Sequence, residues 1–516
     1  MTAAGYRLFD TNSGEPMTRQ ALVPILLAGC ALAALAVPAL SGIAGTAGSL
    51  SYSPTESWIP APSAEPTTTE TPAATTAPAD ILNTASVDGP AVLNFQGRLD
   101  RTAVLQSGNG TVRMELVITS VAEPSGVRIP TDLLVVMDQS GSMGGEKIAH
   151  AKAATQQLIQ QLGPEDRFGL VTFADGPEVA IPLVDALADR TRLLNRVGAI
   201  RAGGGTEMVQ GLASALNIMG ERTAGRAGRV VLISDGLPNG GVDVHPTLVG
   251  QAMQSGIREV PLTAVGVGDD FDESLMTRIA DAGTGNYHYL QSGADLAQIF
   301  SNELSDAAES VASGLTVSFP KVAGVTLTDA AGLPLQYDWQ GNVSVQLGSL
   351  YAGQERRIWV TFDVEDGEIG EVALPTARLQ YRAEEQPGVA SLAAGSVTRE
   401  ANQERWLAAV DQDAWTASVV NEEYNGLKTQ VATAVKQGDE SAALAAIDAY
   451  RSRNYPMNEF VQSALVADNL TELELLAVEV EESFEGADQV QKQNTFSKST
   501  GSSAYQGRRS GQTRGW

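Results

Sequence analysis

Three short segments of this chain gather side chains suited to holding a hard cation. Asp138-Gln139-Ser140-Gly141-Ser142-Met143 puts a carboxylate and two hydroxyls on one tight turn. Gly203-Gly204-Gly205 leads into Thr206, and the apolar residues 230–233 run into Ser234-Asp235-Gly236. Asp138, Ser140, Ser142, Thr206 and Asp235 therefore offer only oxygen ligands. Such a set selects Mg²⁺, Ca²⁺ or Mn²⁺ over soft-ligand metals, and Mg²⁺ in particular keeps room for waters or an outside ligand. Each segment has a plainer reading when taken singly; Ser142, for instance, could cap a following helix. The conjunction of three favours a metal site.

Other chemistries fit less well. An aspartyl phosphotransferase would place a second acid two residues after Asp138, where Ser140 stands. A serine hydrolase needs a base, and no Gly-x-Ser-x-Gly surrounds Ser140 or Ser142. The only histidines are His150 on an expected helix, His245 beside Pro246 and His288 between two tyrosines, and all three read as structural or surface residues. Gly266-Val267-Gly268-Asp269-Asp270 lacks the Lys-[Ser/Thr] that completes a phosphate loop, so nucleotide binding is discounted. Asp269, Asp270, Asp272 and Glu273 lack the spacing of a calcium loop and read as a solvated helix start. A metal-assisted hydrolase would need a general base near Asp138, and none is evident. The expectation is binding and not catalysis.

The elements that must position these residues read as an α/β fold with a doubly wound, mainly parallel sheet. Residues 133–137 are a continuous apolar run of buried-strand length ending at Asp138. Further strands are predicted at 168–173, 230–233 and 262–267, and helices at 146–162, 189–200, 206–219, 245–256, 273–282 and 293–311. In such sheets ligands bind beyond the carboxyl ends of the strands, where strand order reverses. Period-two alternation flanks this core. Val112, Met114, Leu116 and Ile118 show it on one side; Leu315, Val317 and Phe319, then Val343, Val345 and Leu347, then Ile358, Val360, Phe362 and Val364 show it on the other. Residues 86–128 and 311–400 are expected to form one flanking β-sandwich into which the domain at 129–310 is inserted. Residues 401–485 read as a helical region with a packing role, and 486–516 as a disordered basic tail.

The five positions reproduce the complete Asp-x-Ser-x-Ser, Thr, Asp pattern, and residues 129–310 resemble a von Willebrand factor A (VWA) domain with its metal-ion-dependent adhesion site. The resemblance implies that Ser140, Ser142 and Thr206 bind the metal through hydroxyl oxygen, Mg²⁺ foremost, while Asp138 and Asp235 act largely through water. It implies a protein ligand whose acidic side chain completes the shell, and a possible switch by movement of the last helix, about 293–311. The order of segments is also similar to bacterial envelope proteins often labelled calcium-activated chloride channel homologues. Channel activity is not carried over, since there is no pore-lining candidate. An adhesion or assembly module is expected, with an accessory subunit of a membrane complex as the alternative.

Length and charge agree with this. At 516 residues the chain is too long for one core. Its 34 basic and 61 acidic residues give a net charge of −27, which argues against nucleic acid as a partner. One cysteine, Cys30, excludes an internal disulfide. Residues 21–48 carry no charge and follow Arg7 and Arg19, so residues 1–50 are expected to be an export signal or membrane anchor. Leu27-Ala28-Gly29-Cys30 resembles a lipoprotein signal, but the apolar stretch after Cys30 favours a plain signal or anchor. Residues 51–85, rich in Pro, Thr and Ala, read as a spacer. Everything after it is expected outside the cell or in its envelope.

Overall fold

An unbroken apolar strand at the centre of a sheet must be covered on both faces, and residues 133–137 are. Leu133, Val135 and Met137 pack against the helices Glu146–Gln161 and Arg190–Gly198. Leu134 and Val136 point the other way, to Met208–Gly220, Val244–Ile257 and Glu273–Ala282. The computed structural model describes residues 83–510 except 109, 124–128, 221–224, 236–237, 240–242, 269–270, 291–309 and 384–385. The expected export segment, nearly all of the spacer and the helix expected at 293–311 as far as residue 309 lie outside the described residues, as do Gly236, Asp269 and Asp270. The described residues all belong to one unit, Ala74–Trp516.

The central sheet has the strand order Thr284–Leu290, Leu262–Val267, Ala227–Ser234, Thr131–Asp138, Arg167–Phe173 and Pro177–Asp185. All neighbours are parallel except the last pair, which is antiparallel. Chain order runs outward in both directions from Thr131–Asp138. The reversal therefore falls between that strand and Ala227–Ser234, whose carboxyl ends lie side by side.

The flanking strands make one sandwich from both sides of this domain. One sheet pairs Leu93–Leu99 with Thr111–Ser120 and the latter with Glu355–Val364; the other centres on Ser310–Phe319, between Val343–Tyr351 and Arg378–Ala383. Their inner faces share a core that includes Phe95, Ile118, Leu315, Val360 and Leu379. The chain leaves at Ser120, whose N–H donates to the Gln354 carbonyl, and returns at Ser310, opposite Tyr351. Both crossings thus abut one turn, and so the α/β domain is an insertion.

The C-terminal region is helical between Gln403 and Ser510, around Trp415, Val431, Ile447 and Leu473. Asn402, Asp411, Asp439 and Ser463 cap four of its helices through side-chain oxygens. Residues 489–510 correct the expectation of a disordered tail: Gln489–Ser510 is a helix. Its poverty in apolar residues is offset by charge. Arg509 pairs with the buried Asp281, Arg508 lies 3.0 Å from Glu422, and Lys498 donates to the Phe271 carbonyl at 3.1 Å. Tyr505 adds an edge-on ring contact with Tyr287 at 5.6 Å. A basic helix on a strongly acidic body finds carboxylates enough to dock.

Candidate metal centre

The site is assembled where the reversal of strand order predicts. Asp138 ends its strand wholly buried, and Ser140 N–H donates to its Oδ1 at 2.8 Å. The Ser234 hydroxyl, from the neighbouring strand end, donates to Oδ2 at 2.6 Å. Burial first, and then the charge of Asp235, push the Asp138 carboxyl above its usual pKa range against these hydrogen bonds. A cation beside it would reverse that penalty.

Ser140 and Ser142 bring their hydroxyl oxygens within 3.0 Å, and Ser142 donates to Asp235 Oδ1 at 2.9 Å. Since an ionised carboxylate only accepts, Ser142 spends its proton on Asp235 and Ser140 donates between the hydroxyls. Both oxygens retain lone pairs. Ser142 does not cap the following helix, whose N-cap is Gly145 without a side-chain bond. The plain reading of Ser142 is thereby replaced.

Thr206 reaches the same place through its backbone. Gly141 N–H donates to the Gly204 carbonyl at 3.0 Å, Gly203 N–H to the Gln139 carbonyl at 2.7 Å, and Asn239 N–H to the Thr206 carbonyl at 2.9 Å. All three segments are stitched together by these bonds. Gly204 has φ +87°, and a β-carbon there would come within 3.0 Å of Asp175 Oδ2. Asp175 in turn accepts from Gly205 N–H at 2.7 Å, fixing the loop that presents Thr206.

Among the described residues no three His, Cys, Asp or Glu side chains gather as a metal cage. A cation here would rest on hydroxyls with two carboxylates, and this donor set fits a hard divalent ion. Ser142 is exposed while Asp138, Ser140, Thr206 and Asp235 are buried, so the site opens outward past Ser142. Two participants had escaped the sequence reading. Ser234 stood in the quoted motif without a role, and Lys147, in the first turn of the next helix, places Nζ 2.6 Å from Asp235 Oδ2.

Residues placed elsewhere keep ordinary roles. Asp272 caps Glu273–Ala282 by accepting from Leu275 N–H at 3.1 Å, but Glu273 is half-buried, and that burial lifts its carboxyl to about 7. His245 lies 3.9 Å from Asp272.

Residues 132–302 match the family model for the von Willebrand factor type A domain. This segment is a VWA domain. It covers the central sheet and all five site residues, whereas the sandwich and the C-terminal helices lie outside the match. Among curated relatives, the chain is 26% identical over 177 residues to the uncharacterized protein YfbK of Escherichia coli, covering 34% of this chain and 31% of that protein. It is 33% identical over 129 residues to the minor fimbrium subunit Mfa5 of Porphyromonas gingivalis, covering 23% of this chain and 10% of that one. The chain thus spans less than a third of the length of either relative. A solved structure, the von Willebrand factor type A protein from Catenulispora acidiphila, superposes with TM-score 0.55 at 18% identity, covering 83% of this chain and 97% of that one. That likeness bears on the fold, and extends it beyond the VWA domain.

Proposed function

We propose that the VWA domain of this chain is a metal-dependent binding module that captures a protein partner through an acidic side chain. The observation that carries the reading is the continuous set Asp138, Ser140, Ser142 and Asp235, with Thr206 held alongside, at the open end of the switch point. In this reading Ser140, Ser142 and Thr206 hold the ion by hydroxyl oxygen, while Asp138 and Asp235 supply counter-charge. A bound Mg²⁺, or Ca²⁺ or Mn²⁺, would supply an electrophilic position for the partner's carboxylate. Ser234 keeps Asp138 oriented, and the exposed rim at Ser142 and Gly203 admits the ligand.

Placement in the cell envelope, as an adhesion or assembly factor, is supported by the fimbrial role in the name of Mfa5 and by the charge-free stretch at residues 21–48. Among the described residues no helix is long and apolar enough to cross a membrane. A role as accessory subunit of a membrane complex uses the same site and differs only in the partner. Both described carboxylates at the site are tied up, Asp138 by Ser140 and Ser234 and Asp235 by Ser142 and Lys147, which favours binding over hydrolysis.

The test is calorimetric titration of Mg²⁺, Ca²⁺ and Mn²⁺ into the full chain and into Asp138→Ala. The reading expects saturable binding by the parent that is lost in the variant, with unfolding curves showing both folded. Equal binding by the two proteins would overturn it.

A further inference from the structure

A fixed ammonium sits inside this site. Lys147 is the second residue of Glu146–Gln161, and its Nζ holds Asp235 Oδ2 at 2.6 Å while Ser142 holds Oδ1. The Asp235 side chain is fully buried and that of Lys147 is 24% exposed, so this pair is largely out of water. A lysine in the first turn of a helix works against the helix dipole, and Asp235 offsets that cost.

The neighbouring strand end is cut away to admit the lysine stem. Gly268 follows Leu262–Val267 with φ +74°, and a β-carbon there would come within 2.7 Å of Lys147 Cε. Gly268, in the segment that makes no phosphate loop, thereby has a role.

We propose that Lys147 sets the charge of the metal site so that a divalent ion is held firmly only when a partner carboxylate arrives, an inference that rests on the function proposed above. With Lys147 in place, Asp138 and Asp235 leave one net negative charge against the two positive charges of the ion. The partner's carboxylate supplies the other. Without the ammonium the two aspartates neutralise the ion by themselves, and the site fills whether or not a partner is present. Lys147 is in this sense a positioning and specificity residue that couples metal occupancy to ligand capture.

The experiment titrates Mn²⁺ into the full chain, parent and Lys147→Met, with and without acetate as the carboxylate probe at matched ionic strength. Lys147→Met should bind Mn²⁺ about tenfold tighter or more in the absence of acetate. Acetate should strengthen binding by the parent more than by the variant. Lys147→Arg, which keeps the charge, should stay near the parent, and Lys147→Gln serves if the methionine variant does not fold. Equal or weaker binding by Lys147→Met, alongside loss of binding in Asp138→Ala, would overturn the inference while leaving the metal site standing. Absence of Mn²⁺ binding in every protein, with or without acetate, would overturn both.

Discussion

At the scale of single residues, the site depends on hydroxyls that aim carboxylates. Asp138 is wholly buried, and its Oδ2 accepts from the Ser234 hydroxyl. Ser234→Ala removes a bond to a group whose ionised form burial already disfavours, and is expected to cost about 1–3 kcal/mol of stability, measured by urea unfolding. The loss should shrink at low pH, where Asp138 is protonated in both states. A uniform loss at all pH values would mean that Ser234 acts through packing and not through the carboxylate. The motif residues were legible because Asp138, Ser140, Ser142 and Asp235 stand at or just past strand ends, which apolar runs mark, and Thr206 follows a glycine run at a helix start. Ser234 and Lys147 were not, because their roles depend on neighbours 96 and 88 positions distant.

At the scale of elements, the helix Gln489–Ser510 joins the VWA domain to the helical region. Arg509 pairs with Asp281, which also accepts from the Tyr505 hydroxyl at 3.0 Å, while Tyr505 oxygen accepts from Tyr287 N–H at 3.2 Å. Arg509→Ala leaves a buried carboxylate with one neutral donor, and a loss of about 3 kcal/mol is expected from thermal unfolding. An unchanged midpoint would show the helix to be held without this pair. Composition could not reveal this element, since its docking rests mainly on buried charge and not on an apolar stripe. The edge strand Pro177–Asp185 escaped for a related reason: only Ile181 among its residues is buried, so its alternation is weak. The central strands and their helices were readable because both faces are buried, and the sandwich because one face is.

At the scale of the whole molecule, a buried and a half-buried acid sit where its layers meet. Glu422, on a π-helical turn between Arg508 and the sandwich's Asp329, has its carboxyl raised from 4.5 to about 8 by burial, and Glu273, beside Lys498 of the last helix, is raised to about 7. Folded, these groups retain protons that the unfolded chain releases near its ordinary carboxylate pKa. Their stabilising contribution is complete below about pH 4.5 and is lost as pH rises through about 7 and about 8. Glu422→Gln, which stays neutral, should therefore lose less stability than the parent between pH 5 and pH 9, by an amount of the order of a few kcal/mol. Parallel pH profiles of the unfolding midpoint would exclude the effect. These junctions tie the sandwich, the inserted domain and the C-terminal helices into a frame that leaves the metal-site loops at an open end.

The central claim concerns those loops, and crystals of the full chain soaked in Mn²⁺ and measured at the manganese absorption edge address it directly. The account predicts an anomalous peak within coordination distance of the Ser140, Ser142 and Thr206 hydroxyls. A well-ordered site with Mn²⁺ bound elsewhere, or with no peak between those hydroxyls at saturating metal, would contradict it.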